Sequence, residues 1–449
     1  MKAQRSRRFG RIGIAVVGCV GLVLALAGAL AIRAFAVQAP PLVVLDDPAQ
    51  TNERSYVDLP SFAASRANTG VAIHDIEDTR LLDAVKDVGF SFIRTDLFWE
   101  AVQAPDGWHF EKFDALVANL AQRKLGALFI LGYKHYVFSP DQPPTTTNQL
   151  KAFYSYVYES VRRYSGADVK FEVWNEENDA VYWLAPPSPS AYRNLLITAV
   201  KAARAANPKA MIATGGVQEM DLGFVQSVGD ISSTTLRGPD AVSVHAYRQQ
   251  YPETVFSDYR TLRKDLAGYK NSPAIWTTEW SYPSYGYVYV AKIDDGHSPR
   301  ALALQAKYTV RRFLVDWIAG VGLTAYYDMR DDGKDPMNRE HNFGLLDANN
   351  NKLPAYNASK YLFSFTANIA SAKYFIDESG KYVVLKLATT TGASKYVVWA
   401  YGDRNVLNLD ASHLPERATI TDMYGRVLKA PANGVLAVPE TRGPIFVTV

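Results

Sequence analysis

Two glutamates in similar sequence surroundings are the residues of this chain that are most suggestive of a catalytic site. Glu176 lies in the segment 174–178, Trp-Asn-Glu-Glu-Asn, and Glu279 lies in the segment 277–280, Thr-Thr-Glu-Trp. Hydrolysis of a glycosidic bond needs two carboxyl groups, one that protonates the leaving oxygen and one that faces the anomeric carbon. An isolated glutamate is more often a solvated surface charge, but both of these stand beside tryptophan and amide or hydroxyl residues at the ends of apolar runs. We therefore predict that Glu176 and Glu279 are catalytic.

The elements that must position this pair are eight short apolar runs separated by segments with helical spacing. The predicted strands are Gly70–His74, Phe92–Trp99, Gly126–Tyr133, Phe171–Glu176, Ala210–Gly216, Ala241–Tyr247, Ile275–Tyr282 and Leu323–Arg330. The segments between them, such as Asp78–Val88 and Ser190–Ala206, carry apolar residues at helical spacing. Near-continuous apolar strands that alternate with helices indicate an α/β protein with a parallel sheet covered by helices. Eight repeats favour a closed (β/α)8 TIM barrel over an open doubly wound sheet, with Glu176 and Glu279 facing each other across its mouth.

The chain changes character on both sides of this barrel. After Phe365 short strands alternate with Gly, Asn and Pro turns, which predicts an all-β sandwich packed beside the barrel. Its predicted strands are Tyr382–Ala388, Tyr396–Tyr401, Thr419–Asp422, Val435–Pro439 and Ile445–Val449. We predict a signal-anchor or signal peptide over 1–36, a linker or single added strand over 37–62, the barrel over 63–356 and the sandwich over 357–449. We expect the sandwich to support the barrel, with carbohydrate binding as the alternative.

The N-terminus has the composition of a membrane-targeting segment. The run Ile12–Ile32 has 21 residues without a charge, and five basic residues precede it. Such a run is long enough to cross a bilayer as a helix, and the preceding charges place the N-terminus in the cytoplasm. We predict a single-pass anchor in a bacterial inner membrane with the catalytic part exported. Cleavage after Ala34-Phe35-Ala36, which would release the protein, is the alternative, and a lipoprotein-type cleavage at Cys19 is less favoured.

Composition excludes several other classes of protein. With 48% hydrophobic and 21% charged residues the chain is typical of a globular protein. The first 36 residues hold six of the 48 basic residues and no acidic one, so the other residues carry 42 basic against 45 acidic side chains, a net charge of −3. No basic patch is evident, and we expect no nucleic-acid partner. One cysteine cannot form an internal disulfide or a thiolate metal cage.

The motifs 173–176, Val-Trp-Asn-Glu, and 275–280, Ile-Trp-Thr-Thr-Glu-Trp, resemble those of the retaining (β/α)8 glycoside hydrolases. In that clan the catalytic glutamates follow strands four and seven. The chain is most similar to glycoside hydrolase family 39, in particular to the membrane-anchored glycosidases of Psl-type exopolysaccharide biosynthesis. The resemblance extends from about residue 70 through the segment 342–347, Asn-Phe-Gly-Leu-Leu-Asp, into the terminal sandwich.

The resemblance implies roles for individual residues. It makes Glu176 the general acid/base and Glu279 the nucleophile, at a carboxyl separation of about 5–5.5 Å, and it makes Asn175 a ligand of the sugar 2-hydroxyl. Arg94, at the end of strand two, matches an arginine that lies near the nucleophile in the clan.

Four further positions are interpreted through the same resemblance. His245 and Tyr247 match a His-x-Tyr pair after strand six, with the tyrosine near the nucleophile. The sequence departs from the clan at Glu177, where proline is usual and where a further negative charge could stand near the acid. It departs again at Tyr327, where many relatives carry a sugar-stacking tryptophan.

Aromatic side chains at strand ends and in the following loops are candidates for stacking on sugar rings. We predict that Trp280 and His135 bind substrate, while Trp183 and Tyr327 stand evenly between substrate binding and packing. An aromatic side chain is more often part of a core than of a ligand site. Glu172, in mid-strand, is expected to be a buried and paired carboxylate.

Other chemistries have little support in the sequence. The seven histidines show no His-Glu-x-x-His spacing, and neither a Gly-x-Ser-x-Gly elbow nor a Walker loop is present. We predict neither a catalytic metal nor a cofactor. Asp331, Asp332 and Asp335 could bind a cation, but a solvated acidic loop is the favoured interpretation. His74, at the end of strand one, is assigned equally to the cleft and to packing.

The leading hypothesis is a retaining endo-glycosidase that acts on a bacterial exopolysaccharide. An exo-acting β-glycosidase such as a β-xylosidase is the nearest alternative, and a non-catalytic polysaccharide-binding or assembly protein is the alternative from another class. The expected partners are the polysaccharide, the membrane through the N-terminal helix and an exopolysaccharide synthesis or export complex. The sugar, the linkage, the acceptor and the oligomeric state are left open by the sequence.

Overall fold

The computed structural model describes residues 39–45, 55–285 and 296–449. The predicted signal-anchor, its alternative cleavage sites and most of the predicted linker therefore lie outside the described residues. Within the described ranges no helix is both long and apolar enough to cross a membrane.

Eight parallel strands close into a barrel. They are β1 (Thr69–Ala72), β2 (Phe92–Phe98), β3 (Gly126–Gly132), β4 (Val169–Val173), β5 (Met211–Ala213), β6 (Ala241–His245), β7 (Ala274–Glu279) and β8 (Leu323–Tyr326). Each strand pairs with the next in the chain, and β8 pairs with β1 through Ala325 and Gly70. The predicted (β/α)8 barrel is thus confirmed.

Helices cover the outside of this barrel. In the described part of the chain they are α1 (Phe62–Ala67), α2 (Thr79–Val88), α3 (Trp99–Val102), α4 (Glu111–Gln122), α5 (Thr147–Arg163), α6 (Ala180–Trp183), α7 (Pro189–Ala206), α8 (Leu222–Val228), α9 (Val255–Leu266), α10 (Pro299–Ala319) and α11 (Pro354–Phe365). The three longest helices, α5, α7 and α10, begin at the side-chain caps Thr146, Ser188 and Ser298, whose hydroxyls each accept a hydrogen bond from a backbone N–H of the first turn.

The barrel strands end earlier than the sequence predicts, and this changes how the glutamates are held. The predicted fourth strand runs to Glu176, whereas β4 ends at Val173. Trp174 and Glu176 have φ values of +75° and +48°, in the left-handed region that an extended strand does not use. Glu176 therefore projects from a turn above β4, while Glu279 is the last residue of β7.

Alternation along the strands separates the core from the site. On β2, Ile93 packs in the large cluster shared with the helices, and Phe92 packs in a small cluster inside the barrel. Arg94, two residues after Phe92, points inward again but lies nearer the carboxyl end, where it contacts Glu172 of β4. The bottom of the barrel interior is thus apolar, and its top is lined with charged side chains.

The C-terminal part forms two sheets. Its strands are β9 (Ile369–Asp377), β10 (Tyr382–Thr389), β11 (Ser394–Ala400), β12 (Val406–Asp410), β13 (Thr419–Thr421), β14 (Val435–Pro439) and β15 (Ile445–Thr448). The larger sheet has the order β13-β15-β11-β10-β9 and is extended by Val57–Asp58, while β12 pairs with β14 and with Leu42–Val44. β9 and β12 were not predicted from the sequence, and Leu42–Val44 lies in the segment 37–62 that was predicted as a linker or a single added strand.

The larger sheet packs on both of its faces. Val384 and Val398 share a core with Leu409 of the smaller sheet, whereas Val397 and Trp399 belong to the cluster that includes the barrel helices. The two sheets are therefore a sandwich with one side applied to the barrel. The predicted domain boundary at 356/357 falls inside α11, which packs on the barrel helices α2 and α10.

Candidate active site

Glu176 is held by a strained turn with dense support. The indole of the fully buried Trp174 donates a hydrogen bond to the carbonyl of Tyr182 (3.1 Å), and the backbone N–H of Glu176 donates to the carbonyl of Gly216 (3.1 Å). Two non-glycine residues with positive φ persist only where their surroundings fix them. Gly216 itself cannot carry a side chain, because a Cβ there would lie 2.0 Å from Nε2 of His245.

His245 joins the two glutamates. Its Nδ1 lies 2.8 Å from Oε1 of Glu176 and 2.9 Å from Oε2 of Glu279. A register shift after Val244 pairs His245 of β6 with Glu279 of β7, which brings their side chains to the same side of the barrel mouth. The ligand atoms of the three side chains all lie within 4.8 Å of one another. The carboxyl groups of Glu176 and Glu279 are therefore too close together to hold a water molecule between them, which requires a separation of about 6.5–9.5 Å.

Arg94 is the second link in the site. Its buried guanidinium donates to Oε2 of Glu279 (3.2 Å), to Oδ1 of Asn175 (2.7 Å) and to Oε2 of Glu172 (2.8 Å). Oε1 of Glu172 accepts hydrogen bonds from the hydroxyls of Ser243 and Thr278. The prediction that Glu172 is a buried and paired carboxylate is confirmed. Because Arg94 occupies Oδ1 of Asn175, the amide nitrogen of Asn175 is the atom left to donate to a substrate hydroxyl.

The charges around Glu279 keep it ionised. Burial opposes a charge there, but the positive side chains of His245 and Arg94 outweigh this and lower the pKa of Glu279 to about 2. For His245 burial also opposes the charged form, and the carboxylates of Glu279 and Glu176 raise its pKa to about 9. Nε2 of His245 lies 3.2 Å from a guanidinium nitrogen of Arg94. In the neutral imidazole Nε2 accepts from Arg94 and Nδ1 carries the proton that the two carboxylates share, whereas in the charged form both ring nitrogens carry protons.

The cleft around the pair has a volume of about 670 Å³. Its lining residues are Glu176, Tyr182, Gln218, Glu219, Tyr247, Glu279, Tyr327, Arg339, Glu340 and Phe343. The Tyr247 hydroxyl donates to Oε1 of Glu279 (3.3 Å), and Tyr327 packs its ring on Phe343. The amide of Gln218 donates to Oε2 of Glu176 (3.1 Å). Gln218 was not predicted from the sequence, because it belongs to a two-residue strand, Val217–Gln218, that carries no motif.

Three predicted substrate contacts are wrong, since their side chains are buried away from the cleft. Trp280 follows Glu279 directly, so it points to the opposite face of the strand, where it donates to Thr324 (2.7 Å) and packs on Phe313.

His135 is fully buried in the loop after β3, where it bonds the carbonyl of Gln103 and accepts from the N–H of Val137. Trp183 is 1% exposed and packs against Trp174 and Tyr192. Its contribution is therefore to the turn that carries Glu176.

Glu177 does not add a charge to the catalytic pair. Its side chain is 1% exposed and lines a separate, largely apolar cavity together with Tyr192 and Phe224. Burial raises the pKa of Glu177 to about 8, and its Oε2 has no hydrogen-bond partner among the described residues. The carboxyl group is thus neutral below that pH.

Comparison with known proteins agrees with this geometry. Residues 57–282 match the cellulase family, glycosyl hydrolase family 5, over half of the chain. No curated protein sequence matches.

Solved structures of similar fold include several glycosidases. A family 39 glycoside hydrolase from the gut symbiont Bacteroides cellulosilyticus WH2 is 21% identical, with a TM-score of 0.66 over 86% of this chain and 82% of the other. A family 39 β-xylosidase from Caulobacter crescentus is 16% identical, with a TM-score of 0.62 over 91% and 98%. CelM2, a bifunctional glucanase-xylanase from a metagenome library, is 11% identical, with a TM-score of 0.57 over 91% and 98%. At these identities the likeness shows a shared fold.

Proposed function

Since this chain belongs to the cellulase family, glycosyl hydrolase family 5, and is a glycoside hydrolase, we propose that it cleaves its substrate by a two-glutamate double displacement with retention of configuration. The observation that carries the proposal is the bridge at His245, whose Nδ1 lies 2.8 Å from Glu176 and 2.9 Å from Glu279. Carboxyl groups this close suit attack by one of them on the anomeric carbon, whereas an inverting enzyme keeps them about 6.5–9.5 Å apart.

In the first step Glu279 is the nucleophile and Glu176 the acid. Glu279 is ionised through its contacts with Arg94 and His245. Its carboxylate attacks the anomeric carbon, the bond to the leaving oxygen breaks, and the proton of Glu176 passes to that oxygen. The amide nitrogen of Asn175 is placed to donate to the sugar 2-hydroxyl, a contact that strengthens in the transition state.

The second step reverses these roles. Glu176 has given its proton to the leaving oxygen in the first step, so it is now a carboxylate and can act as the base. It takes a proton from water, the water oxygen bonds to the anomeric carbon, and the ester bond to Glu279 breaks. His245 stays within hydrogen-bond distance of both carboxyl groups through the cycle and offsets whichever of them is charged.

For the substrate, the proposal is a polysaccharide that is cut internally. The cleft of about 670 Å³ is lined by the exposed Tyr182 and by Tyr327, whose rings offer aromatic surfaces to sugar units. CelM2 is described as a glucanase-xylanase. The fold shared with the Caulobacter crescentus β-xylosidase supports the alternative, an exo-acting function.

A bacterial exopolysaccharide is the proposed polymer, and the outer side of the inner membrane is the proposed place of action. The apolar run Ile12–Ile32 and the basic residues before it support the location, and the resemblance to glycosidases of exopolysaccharide biosynthesis supports the polymer. The same proposal includes contact of the protein with an exopolysaccharide synthesis or export complex.

Proton NMR of the first products from an isolated exopolysaccharide tests the mechanism. The anomeric signal is expected to appear with the configuration of the substrate and to mutarotate only later. First products of inverted configuration would contradict retention. Product sizes give the mode of attack, because endo action releases a range of oligosaccharides at early times and exo action releases one small sugar. If wild type and E176Q both bind the polymer and neither cleaves it, the protein is a binding module.

A further inference from the structure

A second cavity lies beside the catalytic cleft, at the carboxyl ends of β1 and β8. It has a volume of about 850 Å³, and His74, Asp328 and Asp332 are among its lining residues. His74 follows β1, and both aspartates lie in the loop after β8. Tyr327, the residue before Asp328 in the chain, lines the catalytic cleft.

These three side chains converge on one point. Nδ1 of His74 lies 2.7 Å from Oδ1 of Asp332, and a ligand atom from each of His74, Asp328 and Asp332 lies within 4.8 Å of the others. The hydroxyl of Tyr327 donates to the second oxygen of Asp332 (3.2 Å). An ordinary ion pair between His74 and Asp332 accounts for these contacts, but not for Asp328.

Asp328 is the observation that an ion pair leaves unexplained. It is 2% exposed and lines the cavity, and its Oδ1 has no hydrogen-bond partner among the described residues. A buried carboxylate oxygen without a partner costs free energy unless a cation, a donor or protonation of the group compensates it. Burial, together with the charges of Asp332 and Asp331, raises the pKa of Asp328 well above its usual range, and a bound cation would offset these same charges.

Two of the other charged groups that line the cavity, Arg330 and Asp331, are paired, and Lys334 lines it as well. Arg330 donates to Asp75 and Asp78 at 3.0 Å each. Asp331 contacts His297 (3.0 Å) and accepts from the N–H of Gly344 (2.7 Å).

We propose that His74, Asp328 and Asp332 bind one divalent transition-metal ion of the Zn²⁺ or Mn²⁺ type. One imidazole nitrogen and two carboxylate oxygens are a ligand set for such ions, whereas Ca²⁺ and Mg²⁺ prefer oxygen ligands alone. The open side of the cavity leaves positions for water. This site differs from the expectation that the acidic loop 331–335 is merely solvated, and it uses Asp328 in place of Asp331 and Asp335.

The ion would support one wall of the catalytic cleft. Asp332 holds the hydroxyl of Tyr327, and the rings of His74 and Tyr327 lie 5.6 Å apart. An ion on His74 and both aspartates ties the end of β1 to the loop after β8 and so restrains Tyr327. Its role is structural, and the proposal does not depend on the catalytic mechanism.

Calorimetric titration of the detergent-purified full chain, first dialysed against EDTA, tests the site with MnCl2, ZnCl2 and CaCl2 as probes. We expect one Mn²⁺ or Zn²⁺ per chain, bound more tightly than Ca²⁺. D328N and D332N should each weaken the affinity by about tenfold to a hundredfold. D335N is the matched control, because Asp335 lies in the same loop but outside the cluster, and it should bind as wild type does.

Three results would overturn the proposal. The first is a metal affinity that is unchanged in D332N. Because the side chain of Asp332 is partly exposed, this variant keeps the test valid even if D328N does not fold. The second is loss of binding in E279Q but not in D332N, since Glu176, His245 and Glu279 form the other cluster with metal-ligand spacing in the described residues. The third is that the protein binds glucosamine but no metal ion, and that D328N abolishes the glucosamine binding. The cavity would then be a subsite for an amino sugar.

Discussion

Oε2 of Glu279 lies 3.2 Å from a guanidinium nitrogen of Arg94, and both side chains are largely buried. Arg94 is also bonded to Glu172 and Asn175, so its position does not depend on Glu279. The positive charge is therefore in place before substrate binds, and it favours the ionised nucleophile over the protonated one.

Removal of that charge is expected to move the acidic limb of the pH–activity profile. In R94M the pKa of Glu279 rises from about 2, because burial then opposes its charge with only His245 in compensation. In R94M, Glu279 therefore becomes protonated at a higher pH than in wild type. As the pH is lowered, kcat/KM of the variant should begin to fall at a higher pH. R330M, at an arginine outside the pair, should keep the wild-type profile. An unshifted acidic limb in R94M would mean that Arg94 does not set the charge of Glu279.

Glu177 should make the stability of the protein depend on pH. Its pKa of about 8 in the folded state exceeds the ordinary value of 4.5, so the folded state binds the proton more tightly than the unfolded state. The free energy of unfolding therefore falls as pH rises from about 4.5 to 8, by up to about 1.4 kcal/mol for each unit. E177Q removes this dependence, and its melting temperature should exceed that of wild type increasingly towards pH 8. E416Q, at an exposed glutamate, is the control, and an E177Q difference that is constant with pH would contradict the assignment.

Adjacent residues in α6 offer a test of which aromatic side chains meet the substrate. Tyr182 is 42% exposed and lines the cleft, whereas Trp183 is 1% exposed. Y182A should raise KM several-fold and leave the melting temperature nearly unchanged. W183A should destabilise the fold by about 3–5 kcal/mol, the range for truncating a buried large aromatic side chain. A normal melting temperature in W183A with a raised KM would restore Trp183 to the cleft.

The sequence predicted the barrel because period and composition are local properties. Eight apolar runs with helices between them leave few topologies, and the ends of strands four and seven indicated Glu176 and Glu279 at once. The strand limits were less accurate, since the left-handed turn at Trp174 and Glu176 depends on packing around Trp174 rather than on a glycine. β9 and β12 were missed because the neighbouring strands of their sheets, rather than their own sequences, determine which of their residues are buried.

The aromatic predictions show a different limit. Trp280 was assigned to the cleft for its position beside Glu279, although consecutive residues of a strand face opposite sides. His135 lies in a loop and Trp183 ends the one-turn helix α6, and in neither place does the sequence give the direction of the side chain. Gln218 and Asp328, which the structure places in the two cavities, have no motif, because each is brought there by a turn after a short strand.

The junction of barrel and sandwich provides the last prediction. Glu440, just after β14, accepts from Lys307 (2.7 Å) and Arg311 (3.0 Å) of α10, and all three side chains are buried. Glu253 also binds Arg311 and accepts from the indole of Trp399 (2.7 Å) on β11. The ion cluster thus spans the two parts of the fold.

E440Q leaves Lys307 buried beside Arg311 without its carboxylate, and it should lower the free energy of unfolding by about 3–5 kcal/mol. The double variant K307M/E440Q removes the unpaired ammonium as well, while Arg311 keeps Glu253, so most of that loss should be regained. Urea denaturation followed by tryptophan fluorescence and by circular dichroism measures both. We expect one coincident transition in wild type, because the sandwich buries its inner face on the barrel. Two separate transitions, or a double variant no more stable than E440Q, would show that this cluster does not couple the sandwich to the barrel.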